Sequence, residues 1–89
     1  MIVSSQPRAL ASLGEIQRQH PDLHSEIELA ALAIVCELKD GHESNYMFEI
    51  GRAGYSVYEI YHPPLKAHFT RDGDDRITIN RYFPLVPLG

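Results

Sequence analysis

Eighty-nine residues, 44% hydrophobic and 22% charged, fit a single ordinary globular domain, with no segment polar or biased enough to be disordered on composition. The lone cysteine, Cys36, excludes an internal disulfide. The formal net charge of −4 is concentrated in residues 21–49, where Asp22, Glu26, Glu28, Glu37, Asp40, Glu43 and Glu49 face Lys39 alone, a surface that repels nucleic acid and anionic lipid and favours basic or neutral partners.

Met1–Ser4 is a short β-prone start that forms an edge strand or frays. Ser5-Gln6-Pro7 reads as a helix entry with proline early in the first turn, and Leu10, Leu13 and Ile16 recur on one face as far as Gln19. Gly14 inside this helix costs about 1 kcal/mol relative to alanine, a sign of either a close helix approach or a weak spot. His20-Pro21-Asp22 ends the first helix.

A second helix is expected over Ser25–Gly41. Ser25 and Glu28 have capping-box spacing, Lys39 lies in the last turn, and Gly41 is a left-handed stop. Its run Leu29–Cys36 is apolar throughout, so the helix is expected to be covered on most sides, with Cys36 as a small core residue. That run is too short to span a membrane and is flanked by Glu26, Glu28 and Glu37, and the chain's start lacks a signal-peptide pattern. A soluble cytoplasmic protein is expected.

From Asn45 the apolar period changes to two. Tyr46, Phe48 and Ile50 alternate with Met47 and Glu49, Gly51–Gly54 reverses the chain, and Tyr55–Tyr61 completes a hairpin ended by His62-Pro63-Pro64. Leu65, Ala67 and Phe69 then alternate inward, Asp72–Asp75 is a strong turn, and Ile77, Ile79 and Phe83 alternate with Thr78, Asn80 and Tyr82. The expected class is α+β over residues 1–89: a helical pair (5–40) on one face of a four-stranded antiparallel meander (45–83), followed by an apolar, proline-containing tail (84–89).

The alternation puts Lys66, His68 and Thr70 beside Thr78, Asn80 and Tyr82 on the outward sheet face, with Arg71 and Arg76 at the turn. A base, cations and a phenol on one face are the ingredients for handling a phosphodiester: Lys66, His68, Arg71, Arg76, Arg81 and Tyr82. The order of strand, two helices and antiparallel strands resembles that of the RelE/ParE superfamily of toxins, which implies a small ribonuclease-type toxin. No family motif matches residue by residue, so no catalytic position follows from the resemblance.

The tyrosines Tyr46, Tyr55, Tyr58, Tyr61 and Tyr82 all fall in strands, and an exposed tyrosine on a sheet is a favoured interface anchor. Tyr55, Tyr58, Tyr61 and Tyr82, with the acidic Glu37, Asp40 and Glu43, form the candidate partner-binding set. His20, His24, His42, His62 and His68 lack the converging cysteine or carboxylate help of a zinc site, and Asp72–Asp75 lacks the ligand pattern of a calcium loop. No metal or cofactor is expected. No Gly-x-Ser-x-Gly, CxxC or HExxH pattern occurs. Small size, acidity and the lack of a catalytic template together favour a non-enzymatic protein-binding module, an inhibitor or modulator of immunity or antitoxin type from a phage or mobile element. Self-association as a homodimer is the subsidiary expectation. The toxin or ribonuclease is the alternative, and a structural accessory subunit docking by its tail is a further one.

Overall fold

The computed structural model describes residues 1–41, 57–73 and 75–85, together with the backbone of 47–49. The chain runs β1 (Ile2–Ser5), α1 (Pro7–Gln19), a 3-10 turn (Pro21–Leu23), α2 (His24–Asp40), β2 (Met47–Glu49), β3 (Tyr58–His62), β4 (Leu65–Arg71) and β5 (Arg76–Pro84). The five strands form one sheet in the order β1-β5-β4-β3-β2. Strands β2 to β5 are the expected antiparallel meander. The sheet as a whole is mixed, because the N-terminal edge strand pairs parallel with β5, Ile2 opposite Arg76 through Ser5 opposite Ile79. The reason is topological: the two helices and three strands between them bring the chain back to the β1 edge running in the same direction.

Both helices pack on the same sheet face. Their Ala9, Ile16, Ile27, Ala30, Ala31, Ile34 and Leu38 meet Ile60, Leu65, Ala67, Phe69, Ile77, Ile79 and Tyr82 in one core. Pro7 is the first residue of α1, as its fixed φ favours, and Gly41 ends α2 at φ 71°, where a side chain would be strained.

Three helix expectations are corrected. Leu10 is 58% exposed, and the buried face of α1 is instead Ala9, Leu13 and Ile16 at i, i+4, i+7. The 3-10 turn leads straight into α2, so Leu23 is the N-cap, Ser25 lies inside the first turn, and no side-chain cap forms. The apolar run of α2 is covered on one side only: Leu29 and Leu32 are 66% and 57% exposed, and Cys36 is exposed with them. A two-layer fold can cover only the stripe of α2 that meets the sheet, and that stripe is Ile27, Ala30, Ala31, Ile34 and Leu38.

In β5 one residue decides which side chains enter the core. The register passes from Phe69 opposite Ile79 to His68 opposite Arg81, leaving Asn80 as a β-bulge with no residue opposite. The extra residue inverts the alternation beyond it. Tyr82, expected outside, is therefore 3% exposed and in the core, while Phe83, expected inside, lies half-buried on the outer face beside His68.

The expected turn Gly51–Gly54, the strand start at Tyr55, and Tyr46, His42 and Glu43 lie outside the described residues. Of the tail, Pro84 closes β5 opposite Leu65 and the Leu85 amide donates to the Pro64 carbonyl at 2.7 Å; residues 86–89 lie outside the described part.

Candidate functional site

The outer sheet face, away from the helices, is where the structure gathers its polar chemistry. The tight β3–β4 connection pairs His62 with Leu65, so counting outward sets Tyr61 opposite Lys66 and Glu59 opposite His68. All four side chains share that outer face and meet. His68 Nε2 lies 2.9 Å from Glu59 Oε1, Lys66 Nζ donates to the same oxygen at 3.3 Å, and the Tyr61 hydroxyl donates to Oε2 at 2.6 Å.

These donors fix the charge of Glu59. The Tyr61 hydrogen bond, followed by those of His68 and Lys66, holds its carboxyl down to about 2 against the opposing pull of burial. Glu59 is thus an anion throughout the physiological range. The same bond pushes the Tyr61 phenol above its ordinary value, because losing its proton would set a second negative charge beside the first.

Phe83, turned outward by the bulge, supports this cluster. Its ring centroid is 4.5 Å from that of His68, and Lys66 Nζ and Arg81 Cζ stand 5.4 and 5.3 Å from the same centroid. The ring limits the positions open to His68 and draws two cations to its π-face. Beside it opens a cleft of about 620 Å³ lined by Gln6, Arg8, Val57, His68, Thr70, Asn80, Arg81 and Phe83. Gln6 is held there by the pairing of the chain's first strand with its last, since its amide donates to the Ile79 carbonyl at 3.0 Å. Its Oε1 accepts from Arg8 Nε at 2.8 Å. Among the described residues neither Arg8 nor Arg81 pairs with a carboxylate. The cleft therefore joins an imidazole seated on a carboxylate to guanidiniums open to an anion, which suits proton transfer beside a bound phosphate.

Of the residues singled out from the sequence, Lys66, His68 and Arg81 come together here. Tyr82 does not: it is buried, and burial raises its hydroxyl's pKa while Ser5 hydrogen-bonds to it. Arg71 falls on the opposite face, its guanidinium 5.1 Å from the Tyr58 ring, and Arg76 opens β5 opposite Ile2 without lining the cleft.

The described tyrosines do not share one surface. Tyr61 belongs to the outer cluster, Tyr58 stacks on core Phe69 at 5.4 Å, Tyr82 is in the core, and Tyr55 lies outside the described residues. Glu37 pairs with His62 across the α2–β3 boundary, and Asp40 is exposed at the end of α2. Among the described residues no three His, Cys, Asp or Glu side chains converge as a metal-binding group, and no helix is long and apolar enough to cross a membrane.

Glu59, Gln6, Arg8 and Phe83 were not anticipated as site residues. Glu59 was within reach, because the Pro63-Pro64 turn fixes a hairpin register that sets it opposite His68. Phe83 depended on the bulge, and Gln6 and Arg8 on the parallel β1–β5 pairing; neither has a local signal. The chain matches no known protein-family model, no curated protein and no solved structure.

Proposed function

We propose that this protein cleaves RNA, using His68 as the general base of an acid–base site on the outer sheet face. The observation that carries the reading is His68 itself: seated on the ionised Glu59, braced by Phe83, and opening onto a cleft where, among the described residues, Arg8 and Arg81 pair with no carboxylate. RNA brings its own nucleophile, so the protein needs to supply only a base and stabilisation of the charge that accumulates on phosphorus. His68 takes the proton of a 2′-hydroxyl as its oxygen attacks the adjacent phosphorus. The bond from phosphorus to the 5′-oxygen breaks, a proton from water neutralises the departing oxygen, and a 2′,3′-cyclic phosphate remains. Arg8 and Arg81 are the cations available to the extra negative charge.

The chain's acidity does not oppose this reading, because charge is divided between layers. Asp22, Glu26, Glu28 and Asp40 are exposed on the helical layer, whereas among the described residues the cleft lining holds Arg8 and Arg81 and no carboxylate, with the Lys66–Glu59 pair beside His68.

The test is cleavage of a fluorescently labelled single-stranded RNA, with product ends identified by mass spectrometry. The native protein is expected to leave cyclic phosphate ends, His68→Ala to slow cleavage by about 10²–10⁴-fold, and the Arg8→Ala, Arg81→Ala pair to weaken RNA binding more steeply at low salt than at high salt. An inactive native protein, or full activity in His68→Ala, rejects the reading.

A further inference from the structure

The protein-binding role expected from the acidic segment reappears on residues other than the tyrosines. We propose that the solvent face of α2 docks a partner helix whose apolar seam is flanked by lysine or arginine. Ser25, Leu29, Leu32 and Cys36 follow one another at spacings of four, three and four along α2, the rhythm of a coiled-coil seam. All four are exposed, on the side of the helix away from Ile27, Ile34 and Leu38.

The margins of the seam say what kind of partner fits. If Leu29 and Leu32 are the seam positions, Glu26 and Asp40 fall at flanking positions on one side and Glu28 on the other. All three are exposed, and none has a cationic partner among the described residues. In coiled coils the flanking charges choose the partner, and margins of one sign penalise pairing with a copy of themselves. A second copy of this chain would set acid against acid, whereas a helix with basic margins turns the same three charges into attraction. The seam lies on the helical layer, across the sheet from the cleft, so a partner docked here leaves the cleft open.

The proposal is tested with two synthetic three-heptad peptides, both with leucine at the seam, one with lysine and one with glutamate at the flanking positions. Each is titrated against the whole protein by fluorescence anisotropy, and the free protein is sized in parallel. The lysine peptide is expected to bind and the glutamate peptide not to. Leu29→Ser with Leu32→Ser is expected to lower the lysine peptide's affinity at least tenfold with the melting temperature retained, since both side chains are exposed. Glu26→Lys with Glu28→Lys is expected to reverse the preference between the peptides. Failure of the lysine peptide to bind, equal binding of both peptides, or affinity unchanged by the double serine variant overturns the proposal. So does a native dimer that the serine variant converts to monomer, which would assign the seam to a second copy.

Discussion

Glu59 and His68 are cross-strand neighbours on β3 and β4, and the imidazole Nε2 rests 2.9 Å from the carboxylate. An anion between a histidine, a lysine and a tyrosine hydroxyl ties two strands together on the face that the helices do not cover. That tie has a pH signature. The folded-state pKa of Glu59 is depressed from 4.5 to about 2, so its stabilisation is present above 4.5 and is lost as the pH falls from there towards 2. Glu59→Gln is expected to lower stability at pH 7 by about 2 kcal/mol, and urea titrations of native and variant protein should converge only as the pH approaches 2. Parallel curves over that range would mean that the carboxylate's charge contributes nothing to the fold.

The bulge makes a sharper prediction. Deleting Asn80 sets Arg81 directly after Ile79, so a regular ladder keeps Tyr82 in the core and Phe83 on the outer face without the extra residue. Both faces keep their side chains, and the deletion is expected to fold at a cost below the about 4 kcal/mol of a disrupted core. Asn80→Gly keeps the extra residue and is expected to fold. A deletion variant that loses about 4 kcal/mol or more in urea would show that something other than this residue count assigns the faces.

Past Ser5, β1 no longer covers the edge of β5, and α1 takes over through one side chain. The Ser12 hydroxyl accepts from the Tyr82 amide at 3.0 Å while donating to the Ala9 carbonyl at 2.7 Å. Ser12→Ala leaves that amide without its partner, at an expected cost of about 1–3 kcal/mol. Hydrogen exchange at Tyr82 should accelerate more than at Ile79, and equal protection would refute the role.

Gly14 is the opposite case. A methyl group there would meet Arg18 Nη1 at 3.7 Å, an ordinary contact, so no close helix approach requires the glycine. Gly14→Ala is expected to stabilise the protein by about 0.5–1 kcal/mol, through helix propensity and a less disordered unfolded chain. A lower denaturation midpoint would show a constraint at this position that its surroundings do not reveal.

Local signals read correctly where local physics decides. Pro7 begins α1, Gly41 ends α2, and Gly73 at φ 97° follows the end of β4, because each depends on the chain's own torsions. The burial of α2 was overestimated because an apolar run reports what is available to bury, and only the second layer decides which side is used; Leu29 and Leu32 are what the sheet leaves over. The exchange of Tyr82 and Phe83 turns on a single unpaired residue whose sequence, Ile79-Asn80-Arg81, looks like plain alternation. Half of the site was accessible from hairpin arithmetic around Pro63-Pro64. The half that uses Gln6 and Arg8 required knowing that the first strand lies beside the last.

That last pairing also orders events in time. Ile2 meets Arg76 only after nearly all of the intervening chain has been made and folded back, a contact of long sequence separation that is slow to form. The helices and β2 to β4 leave the ribosome before β5, while Gln6 and Arg8 wait at the other end for Arg81 and Phe83. A growing chain thus carries Gln6 and Arg8 for most of its synthesis before the β5 part of the cleft exists, and any activity there begins only when β5 docks between β4 and β1.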